Sequence, residues 1–385
     1  MTATRKLPRV HPTRGLMQVF PWRLQRRSVP SRWARIIWGI VAVLLALALT
    51  LIIFEFAGLD ALAIGKKALV STFGKRYGIE QAFVLGTPLL LTGLAVALGM
   101  KMGLWNMGAE GQLFVGAIAA TGVGLFVKGP TALMLILMFV AAAAAGACWA
   151  LLPALTRALW NVNEILTTLV LNFIAQYLAV YFVMDAWHDA YGAVLIATAR
   201  VPYDLPILSG SMHIGFLIGS AIAVMLFFAL RGTRWGYEIS IIGGNRKAAE
   251  FAGIPVTRHI ITTMLLSGAI AGIAGAIEIS GTVHRLSMTI SMGYGYFGIV
   301  VSALSGASML AIVPVSFLLA GLLNGGIVAQ TQGLSVNAMV AVNGLIVLFA
   351  AIGQVAAQYH LVRLRKAGAA DRDGFSAMAE EDADV

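Results

Sequence analysis

The segment from Thr87 to Ala120, TPLLLTGLAVALGMKMGLWNMGAEGQLFVGAIAA, decides what kind of molecule this chain makes. Two apolar runs flank Asn106, Glu110 and Gln112, and Gly103, Gly108 and Gly111 interrupt the helical pattern around them. An ionisable residue beside apolar spans is costly unless it faces protein or water, so Glu110 is a functional-site candidate by default. Irregular backbone at membrane depth is tolerated only where protein buries it or a cavity wets it. A polar, glycine-broken junction between two spans is the pattern of a solute path.

The rest of the chain has the same character. Of its 385 residues 59% are hydrophobic and 11% charged, with mean hydropathy +0.86. Soluble proteins carry about a quarter charged residues, which assigns this chain to a bilayer. Apolar runs near 36–57, 82–100, 108–127, 131–152, 165–184, 213–230, 259–281, 293–306, 308–329 and 335–357 predict about ten spans. The run at 293–306 is too short to cross alone and reads as half of a broken helix or a re-entrant piece. The fold class expected is an all-α integral membrane protein, a polytopic helical bundle with broken or re-entrant segments. The first run is too long for the apolar core of a cleaved signal, so it is expected to be a retained helix.

Charge supplies the orientation. Residues 1–35 hold nine basic residues and no acid, and Pro8, Pro12, Pro21 and Pro30 make this arm a poor helix. A basic flank before a first span is the ordinary positive-inside signal, which outweighs nucleic-acid binding as a reading and allows contact with anionic membrane lipid. Three regions follow: a cytoplasmic arm at 1–35, a transmembrane domain at 36–358 with a cytoplasmic loop at 231–258, and a tail at 359–385 expected to be cytoplasmic and disordered. Loop 231–258 carries five basic residues against two acids, and 185–212 three Asp against one Arg, as a cytoplasmic and an external loop should. Lys66, Lys67, Lys75 and Arg76 break the rule, since 58–81 would lie outside. Segments 82–184 and 259–357 run in opposite directions by this count, and each has a Gly-rich interruption, which suits an inverted repeat.

Three further constellations stand out. Glu164, Thr168, Asn172 and Gln176 recur every four residues and share one helix face, either lining a path or hydrogen-bonding neighbouring helices. In the loop, Gly243-Gly244-Asn245 reads as a turn before a short helix from Arg246 to Ala252, stopped by Gly253 and Pro255. That helix is a lipid anchor or a docking element, and its small face (Ala248, Ala249, Ala252) favours docking. Ser267, Ala271 and Gly275, with Gly268 and Gly272, form a small-residue face for close helix packing. Glu278, Asn324, Gln330, Asn337 and Asn343 dot the second half.

Absences narrow the class. The chain has no P-loop, no H-E-x-x-H, no Cys/His metal spacing and no G-x-S-x-G elbow, and a single cysteine, Cys148, excludes an intrachain disulfide. An enzyme has little to work with, and no cofactor or metal is expected on the chain. Two rivals to a driven permease are an ion-coupled secondary transporter, for which Glu110, Glu164 and Glu278 are the acids available, and a non-transport assembly subunit.

Four motifs in register carry a family resemblance. They are Asn106-Met107-Gly108-Ala109-Glu110-Gly111-Gln112; Asn163 and Glu164 through Thr168 to Asn172; Gly243 and Asn245 through Ala248 and Ala249 to Gly253 and Ile254; and Ser267-Gly268 through Ala271-Gly272 to Gly275. Over about 81–353 the chain resembles permease subunits of bacterial ATP-binding-cassette importers, in the branched-chain amino acid and ribose superfamily, most of all its nucleoside and simple-sugar branch. The resemblance implies an inner-membrane permease without its own nucleotide site. ATP and Mg would sit on separate ATPase subunits, with a second permease chain and an external solute-binding protein as further partners. It implies that the 245–254 helix (Asn245, Ala248, Ala249, Gly253, Ile254) docks on the ATPase. With it, Asn106, Glu110, Gln112, Glu164, Thr168, Asn172, Gln176 and Asn343 are expected to line or frame the path. The chain departs from the branch at Phe297, where Asp is common, at Ala307–Leu310, and at Asn343, where Gln is usual. Substrate identity is affected more than class.

Overall fold

The computed structural model describes residues 22–26, 32–56, 58–189, 196–331, 335–357 and 359–363. Its helices are α1 (Arg32–Phe56), α2 (Ala61–Phe73), α3 (Arg76–Lys101), α4 (Ala109–Phe126), α5 (Thr131–Trp160), α6 (Glu164–Tyr181), α7 (Gly215–Gly232), α8 (Arg234–Gly244), α9 (Arg246–Phe251), α10 (Val256–Ile277), α11 (Tyr294–Leu304), α12 (Met309–Gln330) and α13 (Val336–Ala357). Among the described residues, eight helices are long and apolar enough to cross a membrane: α1, α3, α4, α5, α6, α7, α10 and α12. Five-residue π-helical turns extend α6 (Phe182–Ala186) and α10 (Glu278–Thr282). Helix α11 has 11 residues, about 16 Å, which is half a bilayer core and answers to the short run at 293–306.

Helix α3 is the axis of the bundle. From Leu89 to Gly99 every residue is buried, so the helix is apolar on all sides and surrounded by others. Its two threonines spend their hydroxyls on carbonyls one turn back, Thr87 on Phe83 at 2.9 Å and Thr92 on Pro88 at 2.7 Å. Around this axis, α3 packs on α11 and α12, α10 packs on α4 and α5, and the pairs α3–α10 and α4–α11 meet each other.

The small face of α10 makes this packing close. A Cβ on Gly272 would collide with the Ala142 carbonyl of α5, one on Gly268 with the Gly146 carbonyl, and one on Gly275 with the Leu113 carbonyl of α4. Gly116 of α4 in turn meets the Gly272 backbone. Without a hydrophobic drive inside lipid, such backbone-to-backbone contact is how helices gain packing energy. Ser267 and Ala271 of the same helix are also buried.

Several elements differ from the sequence expectation. The loop at 58–81 contains α2, capped by Asp60, whose Oδ1 accepts the Ala63 N–H at 2.9 Å. Helix α5 continues to Trp160, past the expected end at 152, and stops at Asn161 in the left-handed region (φ 53°). The Gly243-Gly244 pair is not a turn but the last turn of α8. Gly243 is needed for close approach, since a Cβ there would strike the Lys101 carbonyl at the end of α3. On the opposite side of the bundle, residues 197–206 run beside 280–287, with Val201 N–H on the His284 carbonyl at 2.8 Å and Leu205 N–H on Ser280 at 2.7 Å. The first residues of the 359–385 tail form a strand (Tyr359–Arg363) paired antiparallel with one in the basic arm (Trp22–Arg26). Residues 1–21 and 27–31 of that arm and 364–385 of the tail lie outside the described residues.

Candidate functional site

The junction between α3 and α4 is the best-built polar feature of the bundle. Helix α3 ends at Lys101, Gly103 takes the left-handed conformation (φ +76°), and the chain turns back beside the helix it has just left. Asn106 lands level with Ala95. Its Nδ2 donates to Ser267 Oγ at 2.7 Å and to Gln112 Oε1 at 2.9 Å, and its Oδ1 accepts from Gln112 Nε2 at 3.2 Å and from the Gly108 N–H at 3.0 Å. Ser267 Oγ passes its own proton to the Ala95 carbonyl at 2.6 Å. Asn106, Gln112 and Ser267 are buried, and this closed network ties α3, α4 and α10 together.

Glu110 sits in the first turn of α4, and its Oε2 accepts the N–H of Gly295, in the first turn of α11, at 2.7 Å. Two helix N-termini therefore converge on one buried carboxylate. Both ends are the positive pole of a helix dipole, which favours a carboxylate placed there. Gly295 permits the approach, since a Cβ there would overlap the Glu110 backbone.

The four-residue stripe of α6 faces inward. Glu164, Thr168 and Asn172 are buried and Gln176 half-buried. Asn172 accepts the Gly111 N–H at 2.9 Å and donates to the Met107 carbonyl at 2.8 Å, with Tyr296 Oη at 3.4 Å. Glu164 accepts the Trp105 N–H at 3.2 Å and pairs with Arg157 Nε at 3.2 Å. Thr168 bonds back to the Glu164 carbonyl at 2.7 Å and packs against Gly108. The structure thus brings Asn106, Glu110, Gln112, Glu164, Thr168 and Asn172 to one seam around the α3–α4 junction, with Gln176 two turns beyond Thr168. Asn343 lies on α13, away from the seam, and its side chain lies outside the described residues. Sequence reasoning missed Ser267 as a member of the polar network, having placed it among packing residues, and missed Tyr296.

Beneath the seam is the 231–258 platform. Asn245 caps α9, its Oδ1 accepting the Ala248 N–H at 3.1 Å. Ala249 is fully buried in an apolar cluster with Met102 and Leu104 of the junction, Ile242 of α8, and Val256 and Ile260 of α10. Ala248, Ala252 and Gly253 are exposed, Ile254 is partly buried, and Phe251 is 94% exposed. The outward face is therefore led by an aromatic that the small-face reading overlooked, while Ala249 is the inward anchor. A large apolar residue next to Lys and Glu on a six-residue helix was the available signal. Arg246 Nη1 donates to Asn161 Oδ1 at 3.2 Å, fastening α9 to the end of α5. Glu238 of α8 is held below the usual carboxylate range by its hydrogen bond from Arg234 at 2.7 Å, with His259 adding to it and burial opposing.

At the opposite end His213 is buried beside Thr282 (Nε2 to Oγ1 3.3 Å), and burial, then His284, holds its imidazole down at about 4 against the usual 6.5. Burial also lowers His284, although Asp204 at 2.8 Å pulls the other way.

A polytopic bundle of apolar helices, with two helix N-termini meeting at a buried polar junction above a loop platform, fits a transmembrane permease. The chain belongs to the family described as branched-chain amino acid transport system / permease component, whose pattern matches residues 78–351. It is 33% identical to the guanosine ABC transporter permease protein NupP of Bacillus subtilis (strain 168), over 88% of this chain and 99% of that one. It is 32% identical to the glucose ABC transporter permease protein TsgB13 of Haloferax volcanii, over 92% and 96%. Against the nucleoside ABC transporter permease protein NupB of Lactococcus lactis subsp. cremoris the figures are 27%, 84% and 92%. No solved structure matches. The chain is thus a multi-pass membrane permease subunit of an ATP-binding-cassette transporter.

Proposed function

We propose that this permease imports a nucleoside or simple sugar across the inner membrane by alternating access, with both termini cytoplasmic and with ATP and Mg held by separate ATPase subunits. The relatives named for guanosine, glucose and nucleosides support the solute class. A second permease chain and an external solute-binding protein complete the complex. A heterodimer is favoured by the two guanosine permease chains, NupP and NupQ, that this chain resembles in one organism.

The observation that carries this reading is the platform: α9 displays Phe251 outward while Ala249 locks into the cluster that holds Met102 and Leu104. An exposed aromatic over a packed base is the form of an interface anchor. ATPase closure would draw on α9, and the junction would follow it. Within the seam, Asn106, Gln112, Glu110, Glu164, Thr168 and Asn172 frame the gate and Gln176 is the path-lining candidate, with Asn343 a second one on α13.

The test is co-purification of the tagged chain from native membranes, with mass spectrometry of its partners, for wild type and Phe251→Asp. A P-loop ATPase retained by wild type and lost from a monodisperse variant supports the reading. Equal retention by both, or uptake that continues without ATP and collapses with an ion gradient, overturns it. A substitution at Ala249 would disrupt the chain's own packing and could not separate docking from folding.

A further inference from the structure

A cavity of about 530 Å³ opens on the platform side of the bundle, away from the seam, between α7, α12 and the ends of α3 and α11. That volume lies within the roughly 300–1,000 Å³ of ordinary ligand clefts. Its lining divides by chemistry along the membrane normal. Lys101 and Arg231, the last-turn cations of α3 and α7, and the hydroxyls Ser305 and Ser308 mark one end. Phe227, Leu230, Ala311, Pro314 and Val315 form the walls deeper in the bundle. Among the described residues no carboxylate lines it.

Arg231 is held over the Phe227 ring, its Cζ 4.5 Å from the centroid, which fixes the guanidinium at the cavity while leaving its in-plane N–H edge to face a ligand. Helix α12 starts at this rim, and its Ser308 N-cap makes no side-chain hydrogen bond to the first turn. The first-turn N–H groups of a 22-residue helix thus add to the positive field of the two cations. Positive charge at the interface, with an apolar groove running inward from it, matches a phosphate headgroup and its acyl chain. A soluble anion would have no use for the groove.

We propose that this cavity is a binding site for an anionic phospholipid. The phosphate sits between Lys101 and Arg231 beside Ser305 and Ser308, and one acyl chain lies against Phe227, Pro314 and Val315. The proposal rests on the sidedness argued above only for placing the lipid in the cytoplasmic leaflet.

The test uses the purified permease complex, stripped of lipid and titrated with phosphatidylglycerol under native mass spectrometry. Phosphatidylcholine and inorganic phosphate serve as comparison probes. At about a tenfold to thirtyfold loss for two interfacial cations, Lys101→Ala with Arg231→Ala requires that much more phosphatidylglycerol for half-occupancy. Arg258→Ala, an exposed cation on the same side outside the cavity, leaves it unchanged. Should the double variant fail to fold, Ala311→Trp, which fills the groove and keeps both cations, must also abolish retention. Equal retention of phosphatidylcholine, displacement by inorganic phosphate alone, or wild-type retention by both variants overturns the site. Retention that persists in a preparation lacking any ATPase would leave the lipid site standing while the importer reading fell.

Discussion

Asn172→Leu isolates what the α6 stripe does. The two side chains have similar volume, so packing changes little, but leucine cannot replace the acceptor for the Gly111 N–H or the donor to the Met107 carbonyl. The Gly111 N–H lies in the first turn of α4, where no intrahelical carbonyl can take it. Two buried backbone groups would lose their partners at about 1–3 kcal/mol each. Placing an apolar side chain where an amide was buried returns about 1–2 kcal/mol of that. The balance is a destabilisation of about 1–4 kcal/mol, centred on the N-terminus of α4 and therefore on the junction. Gln176→Leu, half-buried one turn along the same face, is the matched control, expected to shift stability by less than about 0.5 kcal/mol. Thermal unfolding of both variants in detergent, with ATP-driven uptake in vesicles, reads the difference. If Asn172→Leu is no less stable than Gln176→Leu, the amide does not hold the junction and the seam has been misread.

Three further outcomes follow from the same geometry. Gly272→Val should cost about 3 kcal/mol or more and lower the yield of folded protein, since its Cβ would overlap the Ala142 backbone, where no side chain can yield; thermal unfolding checks it. His213 resists protonation in the folded chain (about 4) relative to the unfolded one (6.5), so the unfolded state binds more protons between these values. Stability should fall as the pH drops from about 6.5 towards 4, by up to about 1.4 kcal/mol per unit, and be flat in this respect above 6.5; His213→Gln should flatten the slope in a pH series of melting curves. Leu104→Ala, which hollows the cluster between Ala249 and the junction, should raise ATP hydrolysed per solute imported at least threefold in reconstituted vesicles while ATPase co-purification is kept.

Eight of the ten apolar runs coincide with helices long and apolar enough to cross among the described residues, because lipid-facing and buried helices alike are apolar and hydropathy reads both. Helices α2 and α8 escaped that reading because both are short and carry charges, Lys66 and Lys67 in α2 and Arg234 and Glu238 in α8. The polar residues of the seam were legible as exceptions in an apolar chain. Their mutual satisfaction was not, because the 2.7 Å bond from Asn106 to Ser267 joins residues 161 apart, and only the fold brings them together. The orientation of α9 was the least legible feature. A run of alanines suits either a docking face or a packed face, and the choice falls to Ala249 because Met102, Leu104 and Ile242 surround it.

The distance over which the proposed ATPase must act is short. The junction at 102–108 is held from three directions. Ala249 and Ile242 press on Met102 and Leu104 from the platform. Glu164, paired with Arg157, holds the Trp105 N–H from the side. Ser267 holds Asn106 from α10. A displacement of α9 must either carry residues 102–104 with it or leave a void under them. A void costs about 24 cal/mol per Å³, so a gap the size of one leucine side chain already exceeds 2 kcal/mol. Moving the junction together with α9 avoids that cost. The junction cannot move without altering the meeting of the α4 and α11 N-termini at Glu110, because Glu110 lies four residues beyond Asn106 and is bonded to Gly295. One layer of side chains therefore separates the proposed docking face from the α4 and α11 N-termini that meet at Glu110. No longer chain of coupled residues is needed between them.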